Sequence, residues 1–300
     1  MEIGEASSTY YLIIRQSDEF KEFEEKYHIY MESFRLQINN FLIDKTQIDW
    51  KVLDDIADSL VPEDMRSSLL FAYLILIRVK KEYITISHMF NSGIICRMYA
   101  RWLKLNREDS CILTRSGFLY DIGKYALPDE VINKSSKLDD LEFELVKNHA
   151  FLSKVLLSRQ TDINPHILNA ALQHHERADG SGYPQKLSAA EIDKFASMIA
   201  IVDVYEAMTS ARSYREPLCV YQVVSRFQED SLHKYDLNAV NHFLNNLVDD
   251  FIGSYVRLSN GLEGRVLMKN NNDLARPLVM CGDTVVDLTQ DKTVSIIAII

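Results

Sequence analysis

The stretch His174-His175-Glu176-Arg177-Ala178-Asp179-Gly180-Ser181-Gly182-Tyr183-Pro184 decides how the rest of this 300-residue chain is read. Two glycines and a proline within 180–184 cannot hold a helix, so an irregular loop follows the histidine pair. Neighbouring residues inside a helix point about 100° apart and would not address one point. At a helix end running into a loop, His174 and His175 can serve one site jointly or flank two neighbouring metals.

Upstream, Leu141, Leu145, Leu152 and Leu156 fall on one face of a predicted helix. His149 lies on that stripe, four residues after Leu145 and three before Leu152. Downstream, Ser188-Ala189-Ala190-Glu191 reads as a capping box that opens a helix running to about Ser210. Phe195, Ile199, Asp203 and Glu206 share its inward stripe. Asp121 stands in Tyr120-Asp121-Ile122-Gly123-Lys124. A carboxylate or imidazole buried without a partner costs about 1–3 kcal/mol or more. An ion-pair network answers that cost, and so does a metal, which satisfies both residue types together.

Further out, residues 66–250 read as helices almost throughout. Residues 1–65 open with a strand-like run at 10–14 and continue as acidic helical stretches. Pro62 is placed in the first turn of the next helix, ahead of Glu63 and Asp64. This segment reads as a small regulatory or packing unit without chemistry of its own. After residue 250 the character changes to short strands at 254–258, 264–268, 277–280 and 294–297, broken by turn signals such as Ser259-Asn260-Gly261.

Composition narrows the function. With 33 Lys and Arg against 43 Asp and Glu, a net charge of −10 excludes wrapping of polymeric nucleic acid, which needs a dense basic field. A small anionic ligand in a locally basic pocket stays open. The most apolar run, 69–77, is far shorter than the roughly 20 residues of a membrane span. Residues 1–8 lack the basic and apolar regions of a secretory signal. Cys96, Cys111, Cys219 and Cys281 show no CxxC spacing and read as reduced thiols of a cytoplasmic protein that makes no membrane contact.

The 174–184 stretch resembles the HHE…DGxGYP signature of the HD-GYP family. Tyr120-Asp121-Ile122-Gly123-Lys124 resembles that family's HDxGK motif, and Pro128-Asp129-Glu130-Val131-Ile132 continues the match. The run 200–209, followed by Arg212 and Tyr214-Arg215, is similar to the family's last metal-binding helix. The resemblance covers about residues 80–300 in the right order. It implies a mainly α protein: an HD-type helical bundle (66–250) with a small N-terminal unit (1–65) and a short C-terminal β appendage (251–300).

The resemblance also implies two metal ions, iron favoured over manganese or zinc, and cyclic di-GMP as the ligand. Asp121 would bridge the metals, with His88 and Asp203 on the first and His149, His174 and His175 on the second. Lys124 would contact a phosphate oxygen. Arg212 and Arg215 would grip the second phosphate, where guanidinium forks match oxygen pairs. Tyr183 would line the loop over the site. His28, His166, His233 and His242 are left as surface or packing residues. A protein partner would dock through the N-terminal unit or the Gly-Tyr-Pro loop.

Two positions depart from the family pattern. Tyr120 stands where the motif has its histidine, and with a phenol pKa near 10 it reads as a packing residue. Ile84, one turn before His88, replaces an acidic residue that helps some relatives build a third metal site, so a two-metal centre is expected. Three functions stay open: a cyclic di-GMP phosphodiesterase, a degenerate member that binds metal, with or without the ligand, and acts as a signalling or adaptor module with little or no turnover, and a phosphohydrolase of another nucleotide. The Gly-Tyr-Pro loop argues against the last.

Overall fold

The computed structural model describes residues 8–134, 136–210, 218–229 and 232–300. The run at 10–14 is helical, not extended: it lies within α1 (Ser8–Gln16). Five consecutive apolar residues fit a strand or a buried helical turn equally well, and tertiary packing decides. Ser17 then joins two helices, its hydroxyl donating to the Ile14 carbonyl (2.8 Å) and accepting from the Phe20 amide (3.1 Å). In α2 (Asp18–Asn39), Phe20, Phe23, Tyr27, Met31, Phe34 and Ile38 recur every three or four residues and are buried. α3 (Trp50–Leu60) is capped by Asp49. Pro62 lies in the connection that follows, not in a helical first turn, because α4 begins only at Ser67 (Ser67–Leu76).

α5 (Ile84–Trp102) and α6 (Arg107–Leu119) cross at the centre. A β-carbon added at Gly93 would lie 2.2 Å from the Phe118 ring, and one at Gly117 2.8 Å from the Ser92 carbonyl, so only glycines permit this approach. The N-terminal helices share the same core. Phe34 contacts the rings of Phe90 and Phe118 at 5.5 and 5.3 Å, and Tyr27 meets Phe90 edge-on at 5.0 Å.

A tight turn at Ile122–Ala126 leads through α7 (Asp129–Ile132) to α8 (Asp140–Leu157), which opens with a capping box of Asp139 and Glu142. The leucine stripe of α8 is buried only toward its C-terminal end. Leu156 is 8% exposed, whereas Leu141 is 84% and Leu145 37% exposed, because the first turns of α8 extend past the bundle. α9 (Pro165–Gln173) and α10 (Lys194–Thr209) complete the helical wall around the site. α10 starts six residues later than its expected Ser188 cap. Glu191 takes both the Ser188 amide (2.9 Å) and hydroxyl (2.6 Å), which closes a local turn, and Asp193 caps the helix instead.

α11 (Val220–Glu229) and α12 (Leu237–Asp249) lead to an antiparallel sheet of β1 (Tyr255–Leu258), β2 (Glu263–Met268), β3 (Leu278–Cys281), β4 (Thr284–Asp287) and β5 (Ile296–Ile299), ordered β4-β3-β2-β1-β5. The expected four strands are present, and β4 is an addition: it pairs with β3 across a two-residue turn at Gly282-Asp283. Val256, Leu258, Val266, Val279 and Ile296 face the common core. Among the described residues, no helix is long and apolar enough to cross a membrane. All four cysteines are free.

Candidate metal centre

Five elements converge on one buried point. His88 comes from the first turns of α5, Asp121 from the turn after α6, and His149 from α8. His174 is the C-cap of α9 and His175 follows it; Asp203 lies in α10. The adjacent histidines reach one point because α9 ends between Gln173 and them. Gly123 sets the distance between the Asp121 turn and α8: a β-carbon there would lie 2.1 Å from the His149 carbonyl. Its amide donates to Ser153 Oγ at 2.8 Å.

Asp121 is fully buried and faces both halves of the cluster. On one side, its Oδ1 lies 3.3 Å from His149 Nε2 and 3.7 Å from His174 Nε2. His149 Nε2 is in turn 3.1 Å from the Nε2 atoms of both His174 and His175. On the other side, His88 Nε2 lies 3.4 Å from Asp121 Oδ2 and 3.0 Å from Asp203 Oδ1. Lys124 pairs with Asp121 Oδ2.

The chemistry of the three-histidine half fits a cation. Nδ1 of His149 donates to the Val146 carbonyl (2.5 Å) and Nδ1 of His174 to the Ala171 carbonyl (3.0 Å), which leaves their Nε2 lone pairs facing one another. Burial pushes all three pKa values down, that of His174 to about 4, so these rings are neutral donors at working pH. Among the described residues, Asp121 Oδ1 receives no hydrogen bond. Converging lone pairs and an orphaned carboxylate oxygen repel one another until a positive ion lies among them. His149, His174 and His175 with Asp121 have the donor types that suit iron, manganese or zinc.

The other half, His88, Asp121 and Asp203, is more acidic. Burial alone would lower the pKa of His88, but Glu206, Asp121 and Asp203 outweigh it and hold the ring well above its ordinary value. Burial opposes charge on both aspartates too, yet Lys124 and His88 keep Asp121 well below the carboxylate range, and the hydrogen bond with His88 does so for Asp203. Without metal this half is therefore an internal ion cluster, in which His88, Asp121 and Asp203 would hold a cation in place of the His88 proton. Each of the two donor groups has ligand atoms within 4.8 Å of one another.

Tyr120 is more than packing. Its ring is fully buried, and its hydroxyl lies 2.7 Å from His88 Nε2 and donates to Asp203 Oδ1 at 3.0 Å, inside the acidic half. Ile84 stands half-buried at the head of α5. Tyr183 stacks on His175 with ring centroids 4.7 Å apart. Arg212 and Arg215 lie outside the described residues.

Two side chains that sequence reasoning left without a role belong to the site. Glu206, one turn beyond Asp203, accepts from His88 Nδ1 and so fixes which nitrogen faces the aspartates. Its place on the inward stripe of α10 was the signal for it. Glu176 is buried and receives the amides of Gln185 (2.6 Å), Lys186 (3.2 Å) and Leu187 (3.0 Å), which anchors the loop that carries Tyr183.

The HD domain family profile matches residues 73–239. The chain is similar to the cyclic di-GMP phosphodiesterase PA4108 of Pseudomonas aeruginosa, 31% identical over 234 residues, 77% of this chain and 56% of that protein. It is similar to 3'3'-cGAMP-specific phosphodiesterase 1 of Vibrio cholerae, 35% identical over 48% of this chain and 33% of that protein. It is also similar to the response regulator RpfG of Xanthomonas campestris, a cyclic di-GMP phosphodiesterase, 38% identical over 41% of this chain and 32% of that protein. The chain thus spans between about a third and just over half the length of these relatives. Among solved structures, Bd1817, an HDG"Y"P protein from Bdellovibrio bacteriovorus, shares the fold with a TM-score of 0.59 at 16% identity, over 76% of this chain and 72% of that one.

Proposed function

This chain belongs to the HD domain family, in its HD-GYP branch, and on that premise we propose that it is a metal-dependent phosphodiesterase acting on cyclic di-GMP. The observation that carries the reading is the double orientation of Asp121, one oxygen toward the neutral His149 and His174 and the other toward His88 and Lys124. In this reading His88, Asp203 and Asp121 would hold one metal, and His149, His174 and His175 together with Asp121 the other. A bound metal pair would lower the pKa of a water and neutralise charge on the phosphodiester. Iron is the metal favoured by resemblance, and the setting is the cytoplasm.

Lys124 holds Asp121 ionised and stands where a phosphate oxygen would meet its ammonium. Tyr183, stacked on His175, offers a flat wall against which a guanine base can lie. Arg212 and Arg215 follow Asp203 in sequence and are assigned to the second phosphate. One observation favours a second reading, in which the chain binds metal and ligand with little turnover. The Tyr120 hydroxyl occupies the corner of the acidic half where a further imidazole would add a ligand atom.

The test is incubation of the full chain, prepared anaerobically with ferrous iron or loaded with manganese, with cyclic di-GMP and with 3'3'-cGAMP, followed by chromatography. Release of the linear dinucleotide or GMP from cyclic di-GMP supports the phosphodiesterase. Tight binding by calorimetry without product selects the second reading. A chain that takes up no metal under these conditions ends both, and selective cleavage of 3'3'-cGAMP replaces the substrate.

A further inference from the structure

A buried line of hydrogen bonds runs from the N-terminal helix α2 into the acidic half of the metal centre. Tyr27 Oη donates to Asn91 Oδ1 at 2.8 Å, and Asn91 Nδ2 donates to Glu206 Oε1 at 2.9 Å. The Ser210 hydroxyl binds the same Glu206 oxygen, and Glu206 Oε2 accepts from His88 Nδ1. Tyr27, Asn91, Glu206 and His88 are all at least nine-tenths buried.

The polarity of the line is fixed. A carboxylate can only accept, so Asn91 must turn its amide nitrogen to Glu206 and its oxygen to Tyr27. Burial pushes the Tyr27 phenol far up, so it stays a donor. Glu206, held by two donors on one oxygen, keeps the other on His88 Nδ1, which commits Nε2 to Asp121 and Asp203. Losing Asn91 would leave that Glu206 oxygen to the Ser210 hydroxyl alone and loosen the carboxylate's hold on His88 Nδ1.

We propose that Tyr27 and Asn91, acting through Glu206, position His88, so that a helix outside the 73–239 family match sets the metal affinity of one half of the centre. The inference rests on the two-metal reading and adds to it a control point that begins at Tyr27, outside the matched residues. Partners that hold a metal-ligating histidine typically account for about 10- to 100-fold in metal affinity.

The experiment uses the full metal-stripped chain, titrated with Mn²⁺ by calorimetry and followed by the electron paramagnetic resonance of the bound ion. Asn91→Leu should weaken one of two Mn²⁺ binding steps about 10-fold, with the three-histidine step unchanged. Tyr27→Phe, which keeps the ring in place, should weaken the same step about 3-fold, in proportion to a neutral hydrogen bond one position further out. Phe20→Leu loosens the same helix where its ring packs on Tyr73, about two turns away from Tyr27, and should leave both steps alone. Unchanged Mn²⁺ affinity in Tyr27→Phe, equal weakening of both steps, or the same loss in Phe20→Leu overturns the inference. A wild-type chain that binds no Mn²⁺ overturns the metal reading itself.

Discussion

Tyr120→Phe should tighten metal binding. In the metal-free chain the Tyr120 hydroxyl donates to Asp203 Oδ1 at 3.0 Å and touches His88 Nε2 at 2.7 Å, so it stabilises the two groups that metal must recruit. A hydrogen bond to a charged group contributes about 1.5–3 kcal/mol net. If Asp203 gives up that bond when it turns to a metal, removing the hydroxyl returns the same energy to binding. At about 1.4 kcal/mol per tenfold, the gain is roughly 10- to 100-fold in Mn²⁺ affinity, confined to the acidic half. Calorimetric titration of the stripped protein measures it. Weaker binding in Tyr120→Phe would refute the reasoning, because it would make the phenol oxygen a ligand rather than a competitor. Tyr120→His adds an imidazole at the same corner and should raise both Mn²⁺ occupancy and cyclic di-GMP hydrolysis. If neither moves, Tyr120 is not what limits the site.

Stripping metal with a chelator should lower the melting temperature, and restoring Mn²⁺ at about 100 times its dissociation constant should recover about 2.7 kcal/mol, read by calorimetry. An unchanged transition would contradict a metal that relieves the Asp121 and histidine repulsion. Glu176→Gln replaces an oxygen that receives backbone amides with a donor, so the 180–187 loop should exchange its amide hydrogens at least tenfold faster while the helices stay protected. Gly182→Ala puts a methyl 2.4 Å from the Arg177 amide and 2.5 Å from Glu176 Cα; a loss of about 2 kcal/mol or more in chemical denaturation is expected, and wild-type stability would argue against the packed loop.

Much of the site could be read from residue order, because its donors sit at positions where local rules conflict. A histidine on an apolar stripe, a histidine pair entering a loop with two glycines and a proline, and a carboxylate on the inward face of α10 each break a pattern. Those are the residues the structure gathers. The errors have local causes. The capping box at 188–191 closes a turn because the Ser188 hydroxyl donates to Glu191 instead of accepting a helix amide, and the 10–14 run offers no periodicity to separate strand from helix. Tyr27 and Asn91 were beyond reach for a different reason: they meet across 64 positions of sequence, and neither is unusual among its neighbours.

The aromatic seam of Phe34, Phe90 and Phe118 bears on how the chain can be dissected. A fragment cut to begin at the family match would carry Phe90 and Phe118 without the ring that covers them, leaving a greasy scar beside the helix that presents His88. Inactivity or clumping of such a piece would report on the cut, and only the intact polypeptide can be assayed fairly as a catalyst.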